Sequence, residues 1–484
     1  MLSRYTLLIG VFLPLYLAAQ SPLGDQVYEK ADETYVQRMD RYNFNDSFRA
    51  IDLKTVIEEG LRKNHGQQVR AYNENILELG WRDQYAEFWF PSVNLVLSSG
   101  TQRLDHLKMG KDNTKTSPSP AGSLGLEIGD YTLFNWGKDY AAYLNQKRIY
   151  KRGKQEINEK RRELKHDLIL QYFDLLTRKD LANTAKYRLR QASFIYRLSR
   201  EKMTLKKLSK EIYYQSRHIY LEAQEEYQQA KIAVQLADEK MALLLADAPG
   251  TRYHLREILK YQKVKTSIAE AERLSLKNNP KILTAQTVLE VAKKQYQIIK
   301  KENLPLPKIT INLGAYTHTF DDNKNQTRYF THTDSSNLEI TATVNATWSI
   351  FGKGGLFNRR KTETSFVTKN LRQKLLNQQK HTTHSGITTT FRRILHQEKM
   401  MTILTAETTN LRKTYDVILE NYINKKTAFI NYKLALNDLI EARNLNALTK
   451  FDHLKGKIEL AKLMGIEDFP GENFENLAIQ ETAQ

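Results

Sequence analysis

The sequence predicts a mostly helical protein that also carries four long amphipathic strands and is built as an internal duplication. Two proline-free stretches, from Pro120 to Pro249 and from Pro307 to Pro470, leave room for very long helices. Alternating apolar and polar residues before each stretch predict strands. Because the same order of segments occurs twice, we infer that one structural unit was duplicated.

The N-terminus has the layout of a secretory signal peptide. A single basic residue, Arg4, precedes an apolar run that ends at Leu17, and the small residues Ala18 and Ala19 follow. We assign residues 1–20 to this signal peptide, with a retained anchor as the alternative. The chain has no cysteine, so packing alone must hold an exported fold and no lipid can be attached through a thiol.

The long helices are supported by the spacing of apolar residues. Leu164, Leu168, Tyr172 and Leu175 follow one another at coiled-coil-like intervals. A helix of about 65 residues is ~100 Å long, and no single globular core buries such a helix from end to end. The helices must therefore form a rod, as hairpins or by packing on other subunits. A similar stripe in the second half comprises Phe391, Ile394, Met401 and Leu404.

Period-two alternation predicts the strands. In LEITATVNATWSI every second residue, starting from the first Leu, is apolar and every residue between is polar. Such a strand has one apolar and one polar face. The predicted strands are 92–99, 123–131, 308–316 and 338–350, joined in pairs by polar loops at 101–122 and 317–337.

Each half runs in the same order: short helix, amphipathic helix ending at proline, strand, loop, strand, a Phe-x-x-Gly junction, long helix and return helix. The linker and the tails lie outside this pattern. The predicted divisions are the signal peptide 1–20, an N-terminal extension 21–50, a first repeat 51–250, a linker 251–266, a second repeat 267–466 and a C-terminal tail 467–484.

The apolar faces of the strands need a cover. The helices are too long and too polar to supply it, whereas in a membrane the apolar face contacts lipid and the polar face contacts water. An open sheet edge cannot remain in lipid, because each unpaired N–H or C=O group costs several kcal/mol. The four strands must therefore close with strands of other copies. Two copies would make a small barrel filled by side chains, and three would enclose an aqueous lumen.

Aromatic residues lie at the helix-proximal ends of the predicted strands, where the aromatic girdle of a membrane barrel would lie. The alternative is that they cap a soluble core. They are Trp89, Phe90, Phe134, Trp136, Trp348 and Phe351. Gly137 and Gly354 follow in the junctions LFNWGK (133–138) and IFGKGG (350–355), where glycine would let a strand turn into a helix.

Other functional classes find little support. The net charge of +19 is spread among Glu and Gln on helix faces, so we expect no nucleic-acid partner. IFGKGG lacks the spacing of a phosphate-binding loop. His381 and His384 have no third ligand nearby. No nucleophile–base set stands out, so we expect no catalytic residue, no cofactor and no metal, and we predict that the protein is not an enzyme.

These features together resemble the TolC family of outer-membrane efflux and secretion channels. The resemblance spans roughly residues 51–466 and implies a homotrimer with a shared twelve-stranded β-barrel in the outer membrane and a long α-helical barrel in the periplasm. Solutes would pass from an inner-membrane pump through a periplasmic adaptor, or membrane fusion, protein to the exterior. The motifs that carry it are LRKN (61–64), LKNNP (276–280), FPSV, LPKI, LFNWGK, IFGKGG and LMGI (463–466).

The resemblance also implies a gate near the helix turns farthest from the barrel, which we place near 201–210 and 420–429. Family members narrow this end with acidic residues, and Asp416 and Glu420 lie here at i, i+4 on one helix face. In a trimer each would form a ring of three carboxylates that favours cations and resists opening. The alternative is that both are ordinary solvated acids.

The chain departs from the family at these turns, which usually carry a glycine. Here Asn424 and Thr204 or their neighbours occupy the region, and the helices are richer in lysine. The competing interpretation of the whole protein is a periplasmic adaptor or scaffold made of helical hairpins, with its strands packed in a soluble domain.

Overall fold

A computed structural model describes residues 47–99, 122–302, 304, 307–318, 339–348 and 359–480. The predicted signal peptide, most of the N-terminal extension and nearly all of both predicted loops lie outside these residues. So do the predicted interface residue Phe351 and the predicted junction residue Gly354.

The described residues contain the same helix order in each half. The first half has α1 (Leu53–Lys63), α2 (His65–Trp89), α3 (Lys138–Thr204) and α4 (Lys210–Leu245), and the second has α5 (Ile268–Asn278), α6 (Pro280–Glu302), α7 (Arg359–Ile423) and α8 (Phe429–Met464). α3 has 67 residues and α7 has 65, so each is about 100 Å long. α3 folds back on α4, and α7 on α8. The predicted long helical hairpins are confirmed.

The strands are β1 (Ser47–Ala50), β2 (Val93–Ser99), β3 (Gly122–Phe134), β4 (Thr251–His254), β5 (Glu257–Leu259), β6 (Lys308–His318), β7 (Glu339–Thr347) and β8 (Ala478–Gln480). Four of them form one antiparallel sheet in the order β2-β3-β6-β7. The four predicted strands are thus confirmed, with shifted ends. β3 continues to Phe134, beyond its predicted end, and Trp348 lies just after β7.

Two small sheets were missed from the sequence. β1 pairs with β4 in parallel, and β5 pairs with β8 in antiparallel fashion. The segment predicted as a linker therefore contains two strands, and the C-terminal tail adds a short 3-10 helix, Phe474–Leu477, before β8. Strands of three or four residues are too short to show a period.

The duplication is visible in equivalent hydrogen bonds from a side chain to the backbone. The Asn64 side-chain amide donates to the Leu244 carbonyl (2.8 Å), and the Asn279 amide donates to the Leu463 carbonyl (2.7 Å). In each repeat this asparagine also caps the helix that follows it. The LRKN and LKNNP motifs thus fasten the first helices of each repeat to the end of its hairpin.

The main core lies about midway along the long helices. It joins both repeats through Leu168, Tyr172, Ile387 and Ile394, all buried. The C-terminal segment closes this core through charged contacts. Lys457, only 1% exposed, lies 2.5 Å from the Glu472 carboxylate, which is 4% exposed. Lys165 pairs with three acidic side chains of the same segment: Glu467, Asp468 and Glu475.

Candidate functional site

The junction between β3 and α3 is a tight turn whose two central residues have positive φ. Trp136 has a φ of 51° and Gly137 of 73°, and the Lys138 amide donates to the Asn135 carbonyl across 2.9 Å. This pattern matches type I′ turns, in which glycine is favoured. No side chain caps α3, because its N-cap residue is Gly137. The Asn135 amide donates to the Asp139 carboxylate in the first turn. The turn itself therefore starts the helix.

Two hydrogen bonds fix this junction to the second repeat. The Trp136 indole donates to the Pro307 carbonyl (3.1 Å), and the Lys301 ammonium donates to the Trp136 carbonyl (2.9 Å). Pro307 directly precedes β6. The end of one repeat's strand pair is therefore held beside the start of the next pair.

The predicted interface aromatics that the structure describes all lie at the helix-proximal end of the sheet. All are substantially exposed in the single chain. The rings of Phe134 and Trp136 meet edge to face, with centroids 5.0 Å apart. Their contact with a membrane stays a prediction. They are Trp89, Phe90, Phe134, Trp136 and Trp348.

A cluster of aromatic rings beneath the sheet was missed from the sequence. Trp81 stacks on Tyr150 with centroids 5.2 Å apart, and Phe88 stacks on Tyr143 at 4.7 Å. The cluster holds α2 on α3. Aromatic spacing along the two helices was the available signal, but long helices offer many such spacings and the sequence does not show which pairs meet.

The register of the sheet sorts apolar and polar side chains onto opposite faces. Val93, Ile128, Leu313 and Ala342 lie opposite one another across all four strands. Cross-strand partners point to the same side of a sheet, so this row defines an apolar face. A second apolar row comprises Tyr131, Ile311 and Val344.

The other face of the sheet is polar. Asn94 lies opposite Glu127, whose carboxylate accepts a hydrogen bond from the Asn312 amide (2.9 Å). Thr310 lies opposite both Thr132 and Asn345. β2 and β7 are the outer strands, so one edge of each has no partner among the described residues. The sheet is therefore two-faced and open at both sides.

Within the chain, α6 packs against the hairpin of the other repeat through a polar contact. The Arg152 guanidinium on α3 donates to the Thr284 hydroxyl (3.0 Å) and to the Pro280 carbonyl (3.1 Å) on α6. It also binds the Glu159 carboxylate at 2.6 Å. The Thr284 hydroxyl in turn donates to Glu156 (2.9 Å). This contact joins the two repeats side by side.

The equivalent surfaces at the two sides of the chain are bare and apolar. On α2 the exposed row is Val69, Tyr72, Ile76 and Leu79, and on α7 it is Val367, Leu371 and Leu375, each 40–70% exposed. Aligning the two repeats pairs residues of these exposed rows with residues of the buried α3–α6 contact. Val69 corresponds to Thr284, and Leu371 and Leu375 correspond to Arg152 and Glu156. The α2 and α7 rows thus occupy positions equivalent to the two sides of the α3–α6 contact.

The distal turns of the two hairpins share one geometry. In each, three amides donate back to the last helical turn, and the central residue is left-handed: Lys206 has a φ of 53° and Lys425 of 60°. These lysines occupy the position where helices usually end on glycine. They are 219 positions apart, like Ala246 and Gly465, the left-handed residues that end the two return helices.

The candidate gate residues Asp416 and Glu420 lie on α7 just before its distal turn, and both are exposed in the single chain. Their neighbour Tyr415 is buried, and its hydroxyl donates to the Gln191 side chain on α3 (3.2 Å). The Arg188 guanidinium on α3 reaches the Asn437 side chain on α8 (3.1 Å). The two hairpins are therefore joined near this end, and the gate itself stays a prediction.

Three further features of the sequence give no additional candidate site among the described residues. His384 lies 3.0 Å from the Glu272 carboxylate, and the described residues contain no group of three His, Asp or Glu side chains arranged to hold a metal. None of the described helices combines the length and apolarity needed to cross a membrane. The glycine-rich part of IFGKGG lies outside the described residues.

Solved structures with this architecture are known. The chain superposes on CusC, whose structures concern transmembrane channel formation, with a TM-score of 0.71 and 15% identity over 87% of this chain and 94% of that one. The CmeC outer membrane channel of Campylobacter jejuni gives 0.72 and 14% over 85% of both chains. The outer membrane protein VceC of Vibrio cholerae gives 0.68 and 13% over 85% of this chain and 96% of that one.

The chain has the fold of the TolC-type channels. The fold expected from the sequence resemblance is thereby confirmed over most of the chain. No protein-family model matches the sequence, and no curated protein does. The structural neighbours just described are channels and membrane proteins.

Proposed function

We propose that the protein is the outer-membrane channel of a tripartite efflux pump or type I secretion system. As a homotrimer it would conduct solutes passively from a periplasmic adaptor and inner-membrane pump to the exterior, without enzymatic activity. The observation that carries this proposal is the two-faced open sheet joined to helical hairpins about 100 Å long. The outer-membrane channels that share the fold support it.

The sheet supports a membrane location. Its apolar rows suit contact with lipid, and its polar face suits a water-filled lumen. The free edges of β2 and β7 would each cost several kcal/mol per unpaired group in lipid. Pairing β7 of one copy with β2 of the next removes both edges at once. Three copies then close a twelve-stranded barrel wide enough for an aqueous pore.

The bare helix surfaces support the same assembly. The α2 row of one copy would lie against the α7 row of its neighbour, as α6 lies against α3 within the chain. Apolar rows with 40–70% exposure would leave water on association, each Å² contributing about 25 cal/mol. The helical part would then form a closed tube in the periplasm.

The distal end of this tube supports the gate assignment. Asp416 and Glu420 share one face of α7, close to the turn, where three copies would form two rings of carboxylates. We propose that these rings resist opening until the partner proteins rearrange the hairpins. The adaptor and pump would act at this end, farthest from the sheet.

Membrane fractionation tests the channel assignment. We expect a trimer, dissociated only by heating, in detergent extracts of the outer membrane. Recovery as a monomer from the soluble periplasmic fraction would contradict the channel and favour the adaptor or scaffold.

Single-channel conductance tests the gate. The Asp416→Ala/Glu420→Ala double variant should conduct more or lose block by cations, because the carboxylate rings are gone. Glu363→Ala, at an exposed acid near the opposite end of α7 from the turn, is the matched control. Unchanged conductance in the double variant would rule out the gate.

A further inference from the structure

We infer that the distal mouth of the channel selects anions, so that the solutes it accepts carry net negative charge; this inference rests on the proposed channel function. Two lysine pairs carry it. Lys206 and Lys207 occupy the first distal turn, and Lys425 and Lys426 occupy the corresponding positions of the second. In both turns the second lysine's amide closes the turn, so that the pairs are geometrically equivalent.

The first lysine of each pair occupies a backbone conformation that glycine adopts more easily. Lys206 and Lys425 have φ values of 53° and 60°, in the left-handed region that side chains with a Cβ disfavour. A glycine would complete either turn without this strain. Both repeats thus place a lysine instead of a glycine here, and each lysine brings an ammonium group to the tip of its hairpin.

The lysine pairs are also available to solvent. All four side chains are exposed, and none forms an ion pair within the described residues. Aromatic rings nearby, such as Tyr422 and Phe429, are engaged in packing between the helices instead. The charges therefore face water at the extreme end of each hairpin.

The helix ends around the two turns also carry net positive charge. Residues 197–217 and 412–433 together contain twelve Lys and Arg against four Asp and Glu. This excess of eight is a large share of the net charge of +19, held in a small part of the chain. In a closed ring of copies these charges converge on one opening. Like charges around an opening focus the field and raise the local concentration of counter-ions, and rings of Lys and Arg select anions.

The candidate gate acids, Asp416 and Glu420, would favour cations instead of anions. Glu420 lies five residues before Lys425, about 7.5 Å at 1.5 Å per residue, which is within one Debye length of about 8–10 Å. Asp416 lies nine residues before Lys425, about 13.5 Å away, and is screened more strongly. Because the basic groups outnumber the acids at this end, we assign the selectivity to the lysines. The sign of the ion preference thus separates the two interpretations.

Planar-bilayer recording of the full-length channel under a KCl gradient measures whether the channel prefers chloride or potassium. We expect a reversal potential with the sign of the chloride equilibrium potential. In the variant that combines Lys206→Glu, Lys207→Glu, Lys425→Glu and Lys426→Glu, the reversal potential should take the sign of the potassium equilibrium potential. As a matched control, the same reversal at Lys151, Lys154, Lys160 and Lys293, exposed lysines nearer the sheet, should move it less.

A second variant guards against misfolding. Lys206→Gly with Lys425→Gly relieves the backbone strain and removes two charges, so it should fold and shift the reversal potential part of the way. A wild-type channel that prefers potassium, or tip variants that shift no more than the control, would overturn the inference. Failure to form any channel would instead contradict the proposed function.

Discussion

The buried α3–α6 contact and the bare α2 and α7 surfaces occupy equivalent positions of the two repeats. Within the chain, Arg152 and Thr284 make it polar. At the outer surfaces the corresponding residues are Leu371 and Val69, which are apolar and exposed. A charged contact within the chain forms at once with its partner, whereas an apolar row remains exposed until another copy covers it. The difference agrees with the proposal that the outer rows are covered by further copies of the chain, while the polar version of the contact is completed inside one chain.

The largest effect should come from placing a charge in the bare α7 row. Leu371→Asp would bury an unpaired carboxylate between copies, which costs several kcal/mol. We expect the trimer to dissociate at concentrations at least about tenfold higher than for the wild type. Analytical ultracentrifugation in detergent measures this. Asn377→Asp, an exposed position on another side of α7, is the control. A trimer as stable as the wild type would contradict the proposed contact.

Arg152→Leu disrupts the buried α3–α6 contact. This change leaves the Glu159 carboxylate buried without its partner and should destabilise the chain by about 3–5 kcal/mol. Denaturant unfolding measures the loss. Adding Glu159→Leu should restore most of it, because an apolar pair of similar volume replaces the ion pair. Arg148→Leu, whose partner Glu290 is exposed, should cost less than about 1 kcal/mol.

The left-handed residues that end the two return helices differ: α8 ends at a glycine and α4 at an alanine. Gly465 is left-handed, and a Cβ there would lie 2.1 Å from the Asn278 carbonyl oxygen. Gly465→Ala should therefore destabilise the protein by about 3 kcal/mol, through backbone strain and a clash. Ala246 has the same conformation in the first repeat. Ala246→Gly should change the free energy of unfolding by no more than about 1 kcal/mol. Equal effects in thermal unfolding would contradict the comparison.

A smaller effect is expected from pH at the central core. Burial lowers the pKa of His166 and of His453 below the usual value of about 6.5. The unfolded state therefore binds protons more readily, and stability should fall as pH drops below about 6.5. The melting temperature should decline from pH 7.5 to pH 5. His166→Gln should flatten that decline, and an unchanged slope would show that this histidine does not contribute.

Much of the fold followed from sequence patterns whose physical basis is local. The alternation in 338–350 and the stripe through Leu168 and Tyr172 predicted a strand and a helix because their periods differ. The short strands β4 and β5 could not be predicted, because their partners lie far away in the chain and too few residues carry the pattern. Asn64 was noticed in its motif, but its bond to Leu244 requires the tertiary fold.

The candidate site was less predictable. The lysines at the distal turns gave no signal, since glycine is the usual mark of a left-handed helix end. The rows on α2 and α7 could not be told from core positions, because coiled-coil spacing looks the same whether its partner is in the chain or in another copy. Asp416 and Glu420 were found by resemblance, and their exposure in one chain does not test the ring they would form.

Cysteine cross-linking can detect the proposed contact between copies without background, because the chain contains no native cysteine. In the Val69→Cys/Leu371→Cys variant, a short bis-maleimide should link neighbouring copies into covalent dimers and trimers. The Thr284→Cys/Glu156→Cys pair spans the α3–α6 contact inside the chain and leaves Arg152 in place, so it should link only within one chain and leave its mass on denaturing gels unchanged. We expect covalent trimers from the Val69→Cys/Leu371→Cys pair alone. Absence of intermolecular products from Val69→Cys/Leu371→Cys, while the thiols of the Thr284→Cys/Glu156→Cys pair are consumed, would contradict the proposed contact between copies.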